Sequence, residues 1–118
     1  MATIDDFHKI EIRIGTILSV EKVPDTDKLL KLSVDFGLKE TDEGVEPERE
    51  IRTIVSGIAL FFEDPQALVG KQCPFVYNLE PRMIRGIESN GMILAAGDGD
   101  SFAVLHPDRP VHPGSKIK

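Results

Sequence analysis

Apolar and polar residues alternate along several short stretches of this chain, and each stretch predicts a β-strand. In Phe7–Val23, isoleucines at positions 10, 12 and 14 alternate with charged residues, which is the two-residue period of a half-buried strand. Gly15 interrupts this stretch and predicts a bulge or tight bend, and we expect Ile4 and Phe7 to close one end of the core. In Lys28–Gly37, the apolar positions 30, 32, 34 and 36 predict a core-facing side. Further predicted strands are Ile51–Ser56, Lys71–Tyr77, Met92–Gly97 and Ser101–Leu105.

Two short helical pieces, Ile58–Phe62 and Pro65–Val69, separate the third and fourth predicted strands, with Asp64 as a helix cap. A hairpin-like turn is expected at 97–100, and the proline-containing tail from 106 to 118 is expected to be extended and paired. Five or six short strands, with a helix between the third and fourth, predict an all-β fold. The order matches an OB-fold, a five-stranded Greek-key barrel, and 118 residues suit one domain spanning 1–118.

The connection Val76–Met92, between the fourth and fifth predicted strands, is much longer than a simple turn. It carries two arginines, two asparagines, a serine and two methionines. In an OB-fold the binding face is formed by the second and third strands with the one–two and four–five loops. Val76–Met92 and the shorter Pro24–Lys28 connection therefore flank the predicted binding face.

Composition indicates a soluble globular chain, with 41% hydrophobic residues and a mean hydropathy of −0.11. No apolar run approaches the roughly 20 residues of a membrane span, and the N-terminus lacks the pattern of a signal peptide. The single cysteine, Cys73, excludes an internal disulfide and a cysteine-based zinc site. We therefore expect a cytoplasmic protein that is not associated with a membrane.

The net charge of −6 argues against nucleic acid as a partner, but the charge is unevenly distributed. The segment Leu38–Glu50 holds six acidic residues against two basic ones, a net of −4, so only −2 remains elsewhere. We expect this acidic insert to be a solvated loop. The rest of the chain could then carry a basic face.

Catalysis has little support in the sequence. The three histidines, His8, His106 and His112, are scattered, and no nucleophile motif, phosphate-binding glycine loop or metal-ligand spacing is present. The Gly97–Asp100 sequence GDGD lacks the rest of a calcium-loop pattern and predicts a plain turn. We expect neither an enzyme nor a cofactor.

Basic residues near the predicted binding face favour a binding function. Lys28 and Lys31 at the start of the second strand suit either a solvated strand face or contacts to phosphates. Arg82 and Arg85 share the long loop with Asn78, where they serve either solubility or binding. Arg13 and Arg52, on the flanking strands, could extend the same surface.

Three further residues allow two interpretations each. The hydroxyls of Ser56 and Ser89 either bond to the backbone of their turns or contact phosphate or ribose. Met92 either packs in the core or contacts a base or sugar. There is no tryptophan and one tyrosine, Tyr77, which could stack on a base. A surface of cations and hydroxyls with few aromatic rings suits structured RNA recognised by shape, phosphates and 2′-hydroxyls.

Five segments, EIRIGTI, DKLLKLSVDFG, IVSGIA, GKQCPFVYNLEPR and GIESNGMILAA, resemble the tRNA-binding domain found at the C-terminus of many methionyl-tRNA synthetases and as small free-standing proteins. The same module occurs in the endothelial-monocyte-activating polypeptide. The resemblance covers residues 7–118. It implies an OB-fold without catalytic activity, which binds tRNA by shape and not by sequence.

The resemblance also implies which residues contact tRNA and how the chain assembles. The implied contacts, by matching motif, are Lys28, Lys31, Ser56, Asn78, Arg82, Ser89 and Met92. Bacterial members form homodimers, and the implied seam is Ile4–Ile14 with Val104–Ile117. Such a pairing would cover exposed barrel edges. A synthetase is a further implied partner.

Two departures from the family pattern bear on affinity. Glu80 and Met83 stand where the family often has cations, and the acidic insert is longer than usual. A related branch, the CsaA secretion chaperone, shares the EIR-G-I start and the Pro-Arg loop but generally lacks the SNGMILAA motif. A peptide-binding chaperone is therefore the second hypothesis, and a module that only dimerises a synthetase is the third.

Overall fold

The computed structural model of the chain describes residues 1–39 and 41–118, so Glu40, one of the six acids of the insert, lies outside the described residues. Within them the chain forms one short α-helix and nine β-strands. The elements are α1 (Ile4–His8), β1 (Ile12–Lys22), β2 (Leu30–Leu38), β3 (Arg49–Ser56), β4 (Gln72–Val76), β5 (Arg82–Ile84), β6 (Ile87–Ser89), β7 (Met92–Ile93), β8 (Ala95–Ala96) and β9 (Ala103–Val104). No helix in the described ranges is long and apolar enough to cross a membrane.

Five strands form one antiparallel sheet in the order β3-β2-β1-β4-β7. The sheet curls so that its two outer strands approach each other, and the Asn90 amide, just before β7, donates to the Thr53 carbonyl of β3 at 2.8 Å. Two smaller hairpins, β5–β6 and β8–β9, accompany the sheet. The predicted all-β OB-fold barrel is confirmed.

The barrel interior is lined by the predicted face of β2, where Leu30, Leu32, Val34 and Phe36 are all buried. Removing these side chains from water is the main apolar contribution to stability. Phe36 and Phe75 meet edge to face with ring centroids 5.5 Å apart, as aromatic pairs prefer. Alternation along β2 therefore identified the core correctly.

Gly15 does not form the predicted bulge. It continues the β1–β4 ladder opposite Cys73, and the irregularity in β1 lies between Ile17 and Ser19. A Cβ at Gly15 would overlap the Val34 side chain and lie 2.9 Å from the Phe36 ring. The glycine is therefore required because side chains of the neighbouring strand β2 fill the space where its Cβ would lie.

Ile4 and Phe7 do not close the core, contrary to prediction. They lie on α1, which Thr3 caps by a reciprocal pair of hydrogen bonds with Asp6. Ile4 is 67% exposed and Phe7 is 38% exposed. The two residues are three positions apart on the helix, so their side chains lie on the same face, and this face is open to solvent. The Thr-x-x-Asp spacing was the signal for this helix.

The two predicted helical pieces are single turns of 3₁₀ helix, Ala59–Phe61 and Pro65–Leu68. Asp64 caps the second turn, as predicted, by accepting from the Gln66 amide at 3.0 Å. Ala59 and Leu68 are buried and pack against the barrel core. These turns lie between β3 and β4, where the fold prediction placed a helix.

The C-terminal tail is extended and paired, as predicted, and its partner is β1. The Ile14 amide donates to the Ser115 carbonyl at 2.9 Å, and the Ile117 amide donates to the Ile12 carbonyl at 2.8 Å. The predicted turn near 97–100 also joins two paired strands, β8 and β9. The tail therefore covers the part of β1 that β2 leaves open.

Candidate nucleic-acid interface

The long connection between β4 and β7 is a folded hairpin, β5–β6. Arg82 pairs with Ser89 and Ile84 with Ile87. Arg85 and Gly86 join the strands, both with positive φ (51° and 79°), as a type I′ two-residue turn requires. The Arg-Gly pair between two isoleucines was the sequence signal for this hairpin, and it was not used in the prediction.

Three of the predicted site residues line one small cleft between the hairpin and the barrel. Arg82, Ser89 and Met92 surround it together with Val55, and its volume is about 80 Å³. Met92 is 48% exposed, so it is not packed in the core. Val55 lies directly opposite Lys31 in the β2–β3 ladder, so the two side chains share a face. Lys31, Val55, Arg82 and Met92 are together called the Val55 surface below.

The electrostatics of the Val55 surface follow from where the charges lie. Within residues 1–39 and 41–118, Lys31 and Arg82 make no ion pair, although Glu80 also lines the cleft. The acidic insert leaves the β2–β3 ladder at the Leu38–Arg49 pair, whereas Lys31 is near its other end. At ~3.3 Å per residue, the two ends are about 25 Å apart, beyond the Debye length at physiological salt. The described residues of the insert therefore leave the ladder at the end that is away from this surface.

The remaining predicted cations stand near the edges of the same region. Arg85 is exposed at the tip of the β5–β6 hairpin. Lys28 is exposed just before β2, and its carbonyl accepts from the Ala59 amide at 2.9 Å. Neither side chain has an ion-pair partner among the described residues. Both cations are therefore free to meet an anionic ligand.

Ser56 lies on the other side of the sheet from Lys31. It pairs with Leu30, whose side chain points into the core, so Ser56 faces inward at the barrel rim. It is half-buried. The structure therefore places Ser56 beside the Val55 surface without bringing its hydroxyl onto it.

Ser89 has the structural role and not the ligand-contacting one. Its residue is 4% exposed, and its hydroxyl accepts from the Val55 amide at 2.9 Å and donates to the Gly91 carbonyl at 3.4 Å. Because the hydroxyl is buried and doubly bonded, the prediction that it contacts RNA is wrong. It fastens the hairpin to β3 instead.

The Asn78 side chain is bonded to the segment that follows α1. Its Oδ1 accepts from the Glu11 amide at 2.8 Å, and its Nδ2 donates to the Lys9 carbonyl at 2.9 Å. Asn78 is exposed, and one amide hydrogen remains for a ligand. The N-terminal segment and the base of the hairpin are thus joined by one carboxamide.

Arg13 and Arg52 do not extend the cationic surface, contrary to prediction. Their guanidiniums lie on the Tyr77 ring, at 4.6 and 3.6 Å from its centroid. Glu11 and Glu50 neutralise them as ion-pair partners. The predicted role of Tyr77 as a base-stacking ring is also wrong, because cation–π contacts cover the ring.

Glu50 and Tyr77 perturb each other at this end of the barrel. Burial alone would raise the pKa of the Glu50 carboxyl, but hydrogen bonds from Tyr77 and Arg52 outweigh it and lower that pKa. Burial and the same Glu50 bond raise the pKa of the Tyr77 hydroxyl. These shifts favour an ionised Glu50 and a protonated Tyr77. In these states Glu50 accepts hydrogen bonds from both Tyr77 and Arg52 and so keeps Arg52 in place.

A model of a known protein family matches most of the chain. Residues 12–116 match the model of a family described as "Putative tRNA binding domain". The chain belongs to this family. The expectation drawn from the five sequence motifs is confirmed.

Relatives within the tRNA-binding-domain family include much longer proteins. The methionine–tRNA ligase of Bacteroides fragilis is 50% identical over 115 residues, which are 97% of this chain and 15% of the ligase. A MetRS-related protein from Pyrococcus horikoshii has 34% identity and a TM-score of 0.83, covering 100% of this chain and 98% of that one. The chaperone CsaA from Bacillus anthracis has 26% identity and a TM-score of 0.79, covering 100% and 99%. The chain thus spans about 15% of the length of the ligases that it matches.

The sequence-based predictions missed three contributions to the site. Val55 and Ile84 line the cleft beside Arg82, so the surface between hairpin and barrel is partly apolar. Arg52 bonds to the backbone at both ends of the hairpin segment. The alternation of Glu50 and Arg52 on β3 was a signal for an ion pair on one strand face.

Proposed function

We propose that this chain is a structure-specific tRNA-binding domain that reads the shape and phosphates of tRNA and not its sequence. The observation that carries the proposal is the Val55 surface, where Lys31 and Arg82 surround an apolar floor and have no ion-pair partner among the residues that the structure describes. Lys28 and Arg85 add charge at its edges. Met92 supplies an apolar contact to a sugar or base, and Asn78 a hydrogen bond.

The domain spans residues 1–118, works in the cytoplasm and has no catalytic role of its own. It acts either as a free-standing protein or as the tRNA-binding part of a methionyl-tRNA synthetase. In either form it concentrates tRNA near an enzyme, since cations on a small face raise association rates. No cofactor is needed for this function.

We also propose that two copies associate through the N- and C-terminal segments. The exposed side chains of Ile4, Phe7 and Ile10 border a groove of about 280 Å³ whose other wall holds Ile117. Leu105 is also exposed on the same C-terminal segment. A two-fold pairing would remove this apolar surface from water and complete a binding unit with two tRNA surfaces.

The experiment that tests tRNA binding is a competition assay on the full chain. Bulk tRNA, single-stranded RNA of equal length and a permanently unfolded polypeptide compete for one labelled tRNA. We expect tRNA to compete best, with affinity falling steeply between about 50 and 200 mM salt as counterions are released. Equal competition by single-stranded RNA would contradict recognition by shape.

A peptide-binding chaperone is the second candidate, favoured by one specific observation. Met83 and Met92 are exposed with Leu79 near the hairpin, and such flexible apolar side chains suit extended polypeptide. The similarity to the CsaA chaperone agrees with this alternative. Preferential competition by the unfolded polypeptide, with little salt dependence, would establish it.

A further inference from the structure

Both ends of the hairpin segment meet at one side chain of β3. The Arg52 guanidinium donates through Nη1 to the Tyr77 carbonyl at 2.6 Å and to the Asn90 carbonyl at 3.5 Å. Tyr77 is where the chain leaves the barrel, and Asn90 is where it returns. A single guanidinium therefore ties the exit and the return of the segment that carries Arg82 and Met92.

The orientation of Arg52 is itself fixed. Glu50 accepts from Nε at 3.0 Å and pairs with Nη2 at 2.9 Å, and the Tyr77 ring packs at 3.6 Å. The side chain is 18% exposed. Four of the five N–H groups of the guanidinium are thus occupied, so it cannot offer a fork to a phosphate.

We propose that Arg52 is a positioning residue for tRNA binding, which holds the β5–β6 hairpin so that Arg82 and Met92 stand around Val55. This inference rests on the proposed tRNA-binding function. Lysine cannot replace arginine here, because a compact ammonium cannot bond in one plane to a carboxylate and to two carbonyls. The hairpin is therefore held by the planar geometry of the Arg52 guanidinium and not by its charge alone.

The first test compares Arg52→Lys with Arg49→Lys, a matched change on the same strand. Arg49 pairs with Asp35 and contacts neither end of the hairpin segment in the described residues. We expect Arg52→Lys to weaken tRNA binding about tenfold and Arg49→Lys less than about twofold. Wild-type affinity in Arg52→Lys would overturn the proposal.

Hydrogen exchange supplies a readout that does not depend on RNA. Amides of β5 and β6 should exchange faster in Arg52→Lys than in the wild type, while amides of β1 and β2 keep their protection. Unchanged exchange in the hairpin would overturn the proposal. If the wild type binds no tRNA, the proposed function fails, and this exchange measurement still decides whether Arg52 holds the hairpin.

Glu50→Gln gives a second test, in which two explanations predict opposite changes in tRNA affinity. The variant loses one negative charge, so electrostatics alone predicts tighter tRNA binding. Positioning predicts weaker binding and faster hairpin exchange, since Arg52 loses the carboxylate that orients it. Tighter binding by Glu50→Gln would overturn the proposal, even if Arg52→Lys proved too unstable to study.

Discussion

The Ser89 hydroxyl accepts a hydrogen bond from the Val55 amide at 2.9 Å and so takes the place of a strand carbonyl where the hairpin meets β3. Neighbouring Asn90 continues the connection with a true backbone bond to Thr53. The contact between β3 and the end of the hairpin is therefore made partly by a side chain.

Replacing Ser89 by alanine is expected to act on stability first. The buried Val55 amide would lose its partner, which costs about 1–3 kcal/mol in the free energy of unfolding. Urea denaturation of Ser89→Ala measures this loss. Ser56→Ala is the matched control and should change stability by less than about 0.5 kcal/mol. Wild-type stability with reduced tRNA affinity in Ser89→Ala would instead indicate a direct contact.

Arg82 and Arg85 are expected to contribute through charge. Each Arg→Gln change should weaken binding of all tRNAs alike and reduce the slope of log affinity against log salt by about 0.7–0.9 per lost phosphate contact. The control is Arg49→Gln, which removes the same charge from a residue that is paired with Asp35 and lies outside the proposed seam. Selective loss of one tRNA would contradict recognition by shape.

The proposed dimer predicts that charge in the N-terminal helix separates the two copies. Phe7→Asp should convert the dimer to a monomer in sedimentation equilibrium, because a carboxylate would be buried without a partner. Leu60→Asp is the control, since Leu60 is equally apolar and 69% exposed but lies outside the proposed seam. A monomeric wild type would refute the seam directly.

The core of this fold was predictable because alternating side chains of a strand can be assigned to the interior in only two ways. Along β2, a shift by one residue would have exposed Leu32 and Val34, so the pattern allowed one register. The family motifs likewise covered the segment that forms the β5–β6 hairpin, on which Arg82 lies. Both predictions depend only on residues that are close together in the sequence.

The misassigned residues depend on partners that are distant in sequence. Arg52 looks like any strand cation until Tyr77 and Asn90 are placed beside it. Gly15 looks like a bend until the Val34 side chain of β2 is placed against it. Ser89 offered two interpretations in the sequence, and only its burial separated them.

Gly15→Ala provides a stability test of the close contact between Gly15 and the side chains of β2. The added methyl group would collide with Val34 and Phe36 inside a packed core, so we expect a loss of about 1–3 kcal/mol in the free energy of unfolding. Gly57→Ala is the control because a Cβ there meets nothing within 4 Å. Equal effects of the two changes, measured by thermal denaturation, would show that the close approach is relieved in solution.

Cys73 is expected to be inert in the folded protein. Burial raises the pKa of its thiol to about 11, and the opposing effect of Lys71 is smaller. At about pH 8 the reactive thiolate would then be near one part in a thousand, and the sulfur is also shielded from reagent. Ellman's reagent should therefore react with the denatured chain at once and with the native chain only as fast as it opens.

The rate of that slow reaction has a further use. Cys73 lies opposite Gly15 in the β1–β4 ladder, so its labelling reports opening of this pair of strands. Gly15→Ala should accelerate labelling, whereas Arg52→Lys should not, because the hairpin that Arg52 holds is a different unit. Rapid labelling of the native wild type would mean that β1 and β4 separate readily, and the barrel could not then serve as a rigid support for the Val55 surface.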